Sequence, residues 1–149
     1  MAVKARPDGY HAVTPYLVVD GAASLIDFLA EVFDAREAER LAAPGGRIGH
    51  AEMRIGDSVV MLADSHGERE PLRMMLHIYV DDADAVYQRA LVAGATSVQA
   101  PADQFYGDRS GGVKDRFGNL WWIATHIEDV PPAELKRRAQ AAMERAGGN

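Results

Sequence analysis

The chain repeats itself, and a duplicated unit narrows the possible folds more than any single motif in it. Leu17-Val18-Val19-Asp20-Gly21-Ala22 is matched by Ile78-Tyr79-Val80-Asp81-Asp82-Ala83, and Arg54-Ile55-Gly56-Asp57 by Arg116-Phe117-Gly118-Asn119. In the first copy, residues 13–19 alternate as a strand, and Leu25, Phe28, Leu29, Val32 and Phe33 recur at helical spacing over residues 22–33. Short strands follow over 35–41, 48–55 and 58–62, separated by Pro44-Gly45-Gly46 and Gly56-Asp57 turns. The second copy runs in the same order. A strand spans 74–80, and Asp81 is the expected N-cap of a helix over 82–93 that Gly94 terminates. Strands follow over 96–99, 110–115 and 120–125, with a loop from Pro101 to Gly107. The prediction is an α+β chain of two βαβββ repeats, about 13–63 and 74–126, forming a curved mixed β-sheet cup. Each helix covers one face of its sheet, so the other face needs the sister repeat, a partner or a ligand.

Residues 1–12 are read as an N-terminal arm, 13–130 as one domain holding both repeats, and 131–149 as a C-terminal helix and tail. Pro131-Pro132 breaks the chain, and a helix over 133–146 presents a narrow face of Leu135, Ala139, Ala142 and Met143, with 147–149 expected to fray. With no cysteine among 149 residues, thiolate metal sites, disulfides and cysteine nucleophiles are excluded. The first ten residues hold no apolar signal region and no later run is long enough to cross a bilayer, so a cytoplasmic location is expected, with no membrane partner. The net charge is −6, and the one basic cluster, Lys136-Arg137-Arg138, lies among Glu134 and Glu144. Nucleic acid is therefore not an expected partner, because phosphate binding needs a concentrated basic face.

The run Tyr106-Gly107-Asp108-Arg109-Ser110-Gly111-Gly112-Val113-Lys114-Asp115 leads into Phe117-Gly118-Asn119-Leu120-Trp121-Trp122-Ile123-Ala124-Thr125-His126. Together with Leu76-His77-Ile78-Tyr79-Val80-Asp81-Asp82-Ala83 and His50-Ala51-Glu52-Met53-Arg54-Ile55-Gly56-Asp57-Ser58, it resembles the vicinal oxygen chelate (glyoxalase/bleomycin resistance protein/dioxygenase) superfamily, in its PhnB-like branch. Arg116 and Asn119 depart from that branch's proline and histidine. The resemblance covers residues 13–130 and implies the glyoxalase/bleomycin resistance fold. Metal-dependent members carry His, Glu or Gln ligands on the inner strands. The resemblance places those positions at Thr14, Met61, Met75 and Trp122, none of which suits a divalent ion. A register slip of two on the fifth strand would bring His77 inward in place of Met75. No cofactor is expected; the alternative is a divalent metal held by a rearranged Glu52 and His77 set.

Strand alternation puts His50, Glu52 and Arg54 on one face, opposite Met53 and Ile55. It likewise separates Met75, His77 and Tyr79 from Leu76, Ile78 and Val80, and Trp122 from Trp121. The ligand-binding candidates are His77, Tyr79, Trp122, Tyr106, Arg109, His50 and Glu52. No catalytic residue is assigned; His77 and Glu52 are the candidates. Each also has a purely structural reading: His77 as a packing residue, Glu52 as a solvated or cross-strand ion pair, and Arg109 paired with Asp108 or Asp103 to hold its loop. Three functions compete. The first is a binding protein that sequesters a drug or metabolite, in the manner of antibiotic-resistance relatives, within a homodimer. The second is a lyase-, isomerase- or dioxygenase-type enzyme, either metal-dependent or using His77 as a base. The third is an interaction module whose cup is plugged by Met61, Met75 and Trp122.

Overall fold

The computed structural model describes residues 2–147; the expected fraying at 148 and 149 lies outside the described residues. The elements are β1 (Tyr16–Val19), α1 (Ala22–Phe33), β2 (Arg36–Ala43), β3 (Arg47–Ile55), β4 (Ser58–Asp64), β5 (Met75–Tyr79), α2 (Ala83–Val92), β6 (Thr96–Asp103), β7 (Asp108–Lys114), β8 (Leu120–His126) and α3 (Pro132–Gly147). They form two four-stranded sheets of identical topology, β1-β4-β3-β2 and β5-β8-β7-β6. In each, the first strand pairs parallel with the last, and the remaining pairs are antiparallel. The fold is thus α+β with two βαβββ repeats. The chain divides into two compact units, the first made of residues up to 74 with 117–119, the second of 75–116 with 120 onward.

In the first unit, α1 buries Ala22, Leu25, Ile26, Leu29, Val32 and Phe33. Ile26 takes the place expected of Phe28, which is only half-buried. The sheet face that shares this core carries Leu17, Ala51, Met53, Val60 and Leu62, all nearly inaccessible. In the second unit α2 buries Ala83, Val86, Tyr87 and Ala90, and Trp121, Ile123 and Val113 are fully buried. The Trp121 indole N–H reaches the buried Asp115 carboxylate at 2.9 Å, which removes the penalty of an unpaired donor.

Each repeat closes its strand-to-helix turn in the same way. Asp64, at the end of β4, accepts the Gly21 and Ala22 amides on Oδ1, each at 2.8 Å, and the Ile48 amide on Oδ2 at 2.7 Å. Gly21 has no side chain to cap α1, so a carboxylate from the neighbouring strand does it. Thr125, three residues beyond Trp122 as Asp64 is beyond Met61, accepts the Ala83 amide at 2.9 Å and donates to the Val80 carbonyl at 2.9 Å.

Three local expectations are corrected. The N-cap of α2 is Asp82, not Asp81; its side chain accepts the Ala85 amide at 3.1 Å. The stretch from Pro101 begins as strand, because β6 continues to Asp103 through irregular pairing between Gln99 and Ala102. Proline is tolerated there because β6 is an edge strand interrupted by a bulge. Residue 147 still belongs to α3, which buries no residue and leaves Met143 70% exposed. Arg138 ties this helix to the Glu128 carboxylate at 2.8 and 2.9 Å and to the Phe105 carbonyl at 3.2 Å. No helix among the described residues is long and apolar enough to cross a membrane.

Burial pushes the Asp64 carboxyl up, but the Ala22, Ile48 and Gly21 amides and the Arg47 charge outweigh it and hold its pKa below 3.8. The folded pKa is therefore lower than the unfolded value of about 3.9. Its stabilisation is fully present above that unfolded value and is lost as pH falls through the folded pKa. Asp64→Ala is expected to lower unfolding stability by about 2–4 kcal/mol at pH 7 in urea titrations, a loss that shrinks as pH falls through the folded pKa.

Candidate functional site

On β3, residues two apart share a face, so His50, Glu52 and Arg54 project together. Strand register sets Glu52 level with Met61 on β4, which is level with Tyr16 on β1, and with Glu39 on β2. The segment from Ala5 to Ala12 lies against this face. Pro7, Tyr10 and His11 from the arm and Thr14, Glu39, Glu52 and Met61 from the unit's inner face surround a cleft of about 500 Å³.

The floor of the cleft is wired. The Tyr10 phenol donates to Glu52 Oε1, and His50 Nε2 sits 2.7 Å from Glu52 Oε2. A carboxylate only accepts, so Nε2 carries the hydrogen. Arg69 donates to the Tyr16 oxygen at 3.3 Å, and the Tyr16 hydroxyl lies 2.9 Å from His50 Nδ1. In the neutral ring, the tautomer that serves every partner has Tyr16 donating to Nδ1 and Nε2 donating to Glu52. Glu52 is 7% exposed, so its charge is largely desolvated. The Tyr10 and His50 hydrogen bonds nevertheless outweigh burial and hold its carboxyl below the ordinary glutamate value. The same hydrogen bond, with burial, raises the Tyr10 phenol. Arg54 spans the arm, donating to the Gly9 carbonyl at 3.2 Å with its guanidinium 5.7 Å from the centre of the Tyr10 ring. Of the two structural readings of Glu52, a solvated or a cross-strand ion pair, burial removes the first, and its histidine partner lies two residues away on the same strand.

His77, Tyr79, Trp122, Tyr106 and Arg109 all belong to the second unit. His77 pairs with Trp122 and Met75 with Leu120, so His77 is the residue level with Trp122. The Trp122 ring lies over Gly112, where a Cβ would come within 2.8 Å of it. This packing accounts for the glycine at position 112. The His77 and Tyr79 rings are 5.1 Å apart, and Met75 and Tyr79 are about two-thirds exposed. Arg109 is held by Asp84, at 2.7 and 3.0 Å, and by Asp103 at 3.0 Å. Asp108, the other partner proposed for it, is instead buried between the Tyr79 hydroxyl and His126 Nδ1, each at 2.8 Å. Tyr106 contacts Ser110 at 3.5 Å and packs edge-on against Phe105.

The structure thus brings Glu52 and His50 together and leaves Glu52 and His77 in separate units. Among the described residues no three His, Asp or Glu side chains are grouped to hold a metal ion. The positions at which the family's metal ligands were expected carry hydroxyl, thioether and indole groups, and this donor set does not fit such an ion. Sequence reasoning missed Tyr10, Tyr16, Glu39 and Arg69. Two tyrosines close together, Tyr10 just before the first strand and Tyr16 at its start, were the one available signal.

The fold and the arrangement of its inner strands define a two-repeat βαβββ protein, and the comparisons agree. A model of the glyoxalase/bleomycin resistance protein/dioxygenase superfamily matches residues 10–123. The chain belongs to that superfamily. It is 40% identical over 158 aligned positions to Mb0911c of Mycobacterium bovis, a protein described as uncharacterized, with 99% of each chain covered. Its fold is similar to that of TioX from Micromonospora sp. ML1 (TM-score 0.62, 26% identity, 78% of this chain and 100% of that one). It is also similar to a PhnB protein from Bacillus cereus (TM-score 0.64, 16% identity, 77% and 99% covered).

His126 lies between Asp108 and Asp129, and these hydrogen bonds raise its pKa above 6.5 despite some desolvation. Its contribution to stability is present below the unfolded histidine value and is lost as pH rises through the folded one. An NMR titration should show the His126 ring titrating above an unperturbed imidazole, and Asp108→Asn should bring it down; an unchanged midpoint in the variant would refute the assignment.

Proposed function

We propose that this protein is a small-molecule-binding member of its superfamily, sequestering a metabolite or drug in the cleft beneath the N-terminal arm without the superfamily's usual metal. The observation that carries this reading is the buried, charged Glu52 on the floor of a cleft of about 500 Å³, a size in the range of ligand pockets. Met61, Pro7 and Ala12 supply apolar wall, Arg6, His11 and Thr14 can donate hydrogen bonds, and the Glu39 and Glu52 carboxylates accept them, so a ligand that brings a donor is met at the carboxylates. The exposed Met75 and Tyr79 of the second unit support a homodimer, since apolar side chains left open in one chain are suited to cover by another.

Native mass spectrometry of protein purified without chelator tests the reading as a whole. The expected spectrum is a dimer free of stoichiometric metal, carrying an organic adduct or taking up a fluorescent apolar dye that Glu52→Gln weakens. A stoichiometric divalent ion lost in His77→Ala would overturn it in favour of an enzyme. No displaceable dye would favour an interaction module, and a monomer at micromolar concentration would refute the dimer.

A further inference from the structure

The arm already shows what the floor of the cleft accepts. Tyr10 is a phenol: its hydroxyl donates to the buried Glu52 carboxylate and its ring lies 5.7 Å from the Arg54 guanidinium. Both contacts belong to the ring and hydroxyl rather than to the backbone that bears them, so any hydroxylated aromatic reproduces them. The arm's own hold is slight. None of the described residues from 2 to 13 is buried. Apart from Tyr10, its ties to the sheet include the Arg54 bond to the Gly9 carbonyl and His11 Nε2, which lies 2.7 Å from the Asp57 carbonyl and 3.8 Å from its carboxylate. A segment with few buried apolar contacts opens locally at low free energy. Glu52, by contrast, does not tolerate being left bare: a desolvated carboxylate that loses a donor needs another. Glu39, directly opposite on β2, adds a second negative group and makes a neutral donor preferable to any anion.

We propose that the cleft takes a hydroxylated aromatic ligand whose phenol displaces Tyr10 from Glu52, so that the arm acts as a built-in competitor for its own binding site. This rests on the reading that the cleft binds a small molecule, and it adds the ligand's chemical class and the means by which the site is kept satisfied when empty. Exchange of one phenol for another leaves the number of hydrogen bonds at Glu52 unchanged. Net affinity then comes from the ligand's contact with the apolar wall, reduced by the fraction of time the arm is closed.

The probes are 2-naphthol and 2-methoxynaphthalene, which share the ring system and differ in the ability to donate, followed by fluorescence titration. The expected result is 2-naphthol binding about tenfold or more tighter than the ether, the size of a charge-assisted hydrogen bond. Tyr10→Phe keeps the ring and removes the competing donor; because either probe must displace the arm, it should tighten both about fivefold and leave the preference for the naphthol in place. Tyr10→Ala, which also frees the ring's place, should tighten both. Glu52→Gln should erase most of the preference for the naphthol. Equal affinity for the two probes, or a 2-naphthol affinity unmoved in both Tyr10 variants, would overturn the proposal. If neither naphthalene binds while an apolar dye is still displaced, the phenol inference fails and the binding reading survives; if the dye fails too, both fall.

Discussion

The parallel pairing of the first and last strands in each repeat is the constraint from which the rest of the structure follows. A parallel pair cannot be closed by a tight turn, so the chain must leave β1, cross over as α1 and return through β2 and β3 before β4 is laid beside its starting point. That return brings the end of β4 alongside the start of α1, where backbone amides are left without partners. Asp64 fills that place with a carboxylate that ties helix, β1 exit and β3 entry together, while Thr125 does so with a hydroxyl. The difference matters: the carboxylate carries charge into a helix N-terminus, where it is favoured, whereas the hydroxyl carries none.

The same topology leaves each sheet with one face for its helix and one face without, and the two repeats treat that second face differently. At the middle row, the second unit sets Trp122 beside Gly112 and His77, and the indole fills the space that the glycine vacates. The first unit sets Met61 beside Glu52 and Tyr16 in the equivalent row. A carboxylate cannot be covered by an apolar ring without a severe desolvation penalty, so this face is covered by a polar arm and keeps a cleft. One register position, glycine in one repeat and glutamate in the other, separates a row packed by an indole from one that carries a buried carboxylate.

Much of this was legible in the sequence because it is local. Period-two and helical spacing marked the strands and helices, and the matched Arg54-to-Asp57 and Arg116-to-Asn119 turns exposed the duplication. What was not legible depends on contacts between distant residues. Tyr10 meets Glu52 across 42 positions, Tyr16 meets His50 across 34 and Arg69 meets Tyr16 across 53. No periodicity encodes such pairings, so His50 and Glu52 emerged as candidates but their partners did not. Arg109 shows both sides of this limit: its pairing with nearby Asp103 was among the readings of the sequence, but its pairing with Asp84, 25 positions away, was not. The bulge that carries β6 past Pro101 was hidden for a further reason, since proline signals a break unless its strand lies at an edge.

The electrostatics of Glu52 join these points. Its low pKa means the folded protein prefers the anion there, though a bare anion at that depth would be strongly disfavoured. The preference is created by donors: His50, which Tyr16 and Arg69 orient from one side, and Tyr10, which the arm supplies from the other. The His50 side rests on three strands and the Arg69 contact, and is fixed by sheet register. The Tyr10 side rests on a segment with no buried residue of its own. A charge held by one rigid and one yielding donor is satisfied at rest and still open to exchange, and exchange at the yielding side is where a ligand gains its hydrogen bond without leaving the carboxylate unpaired.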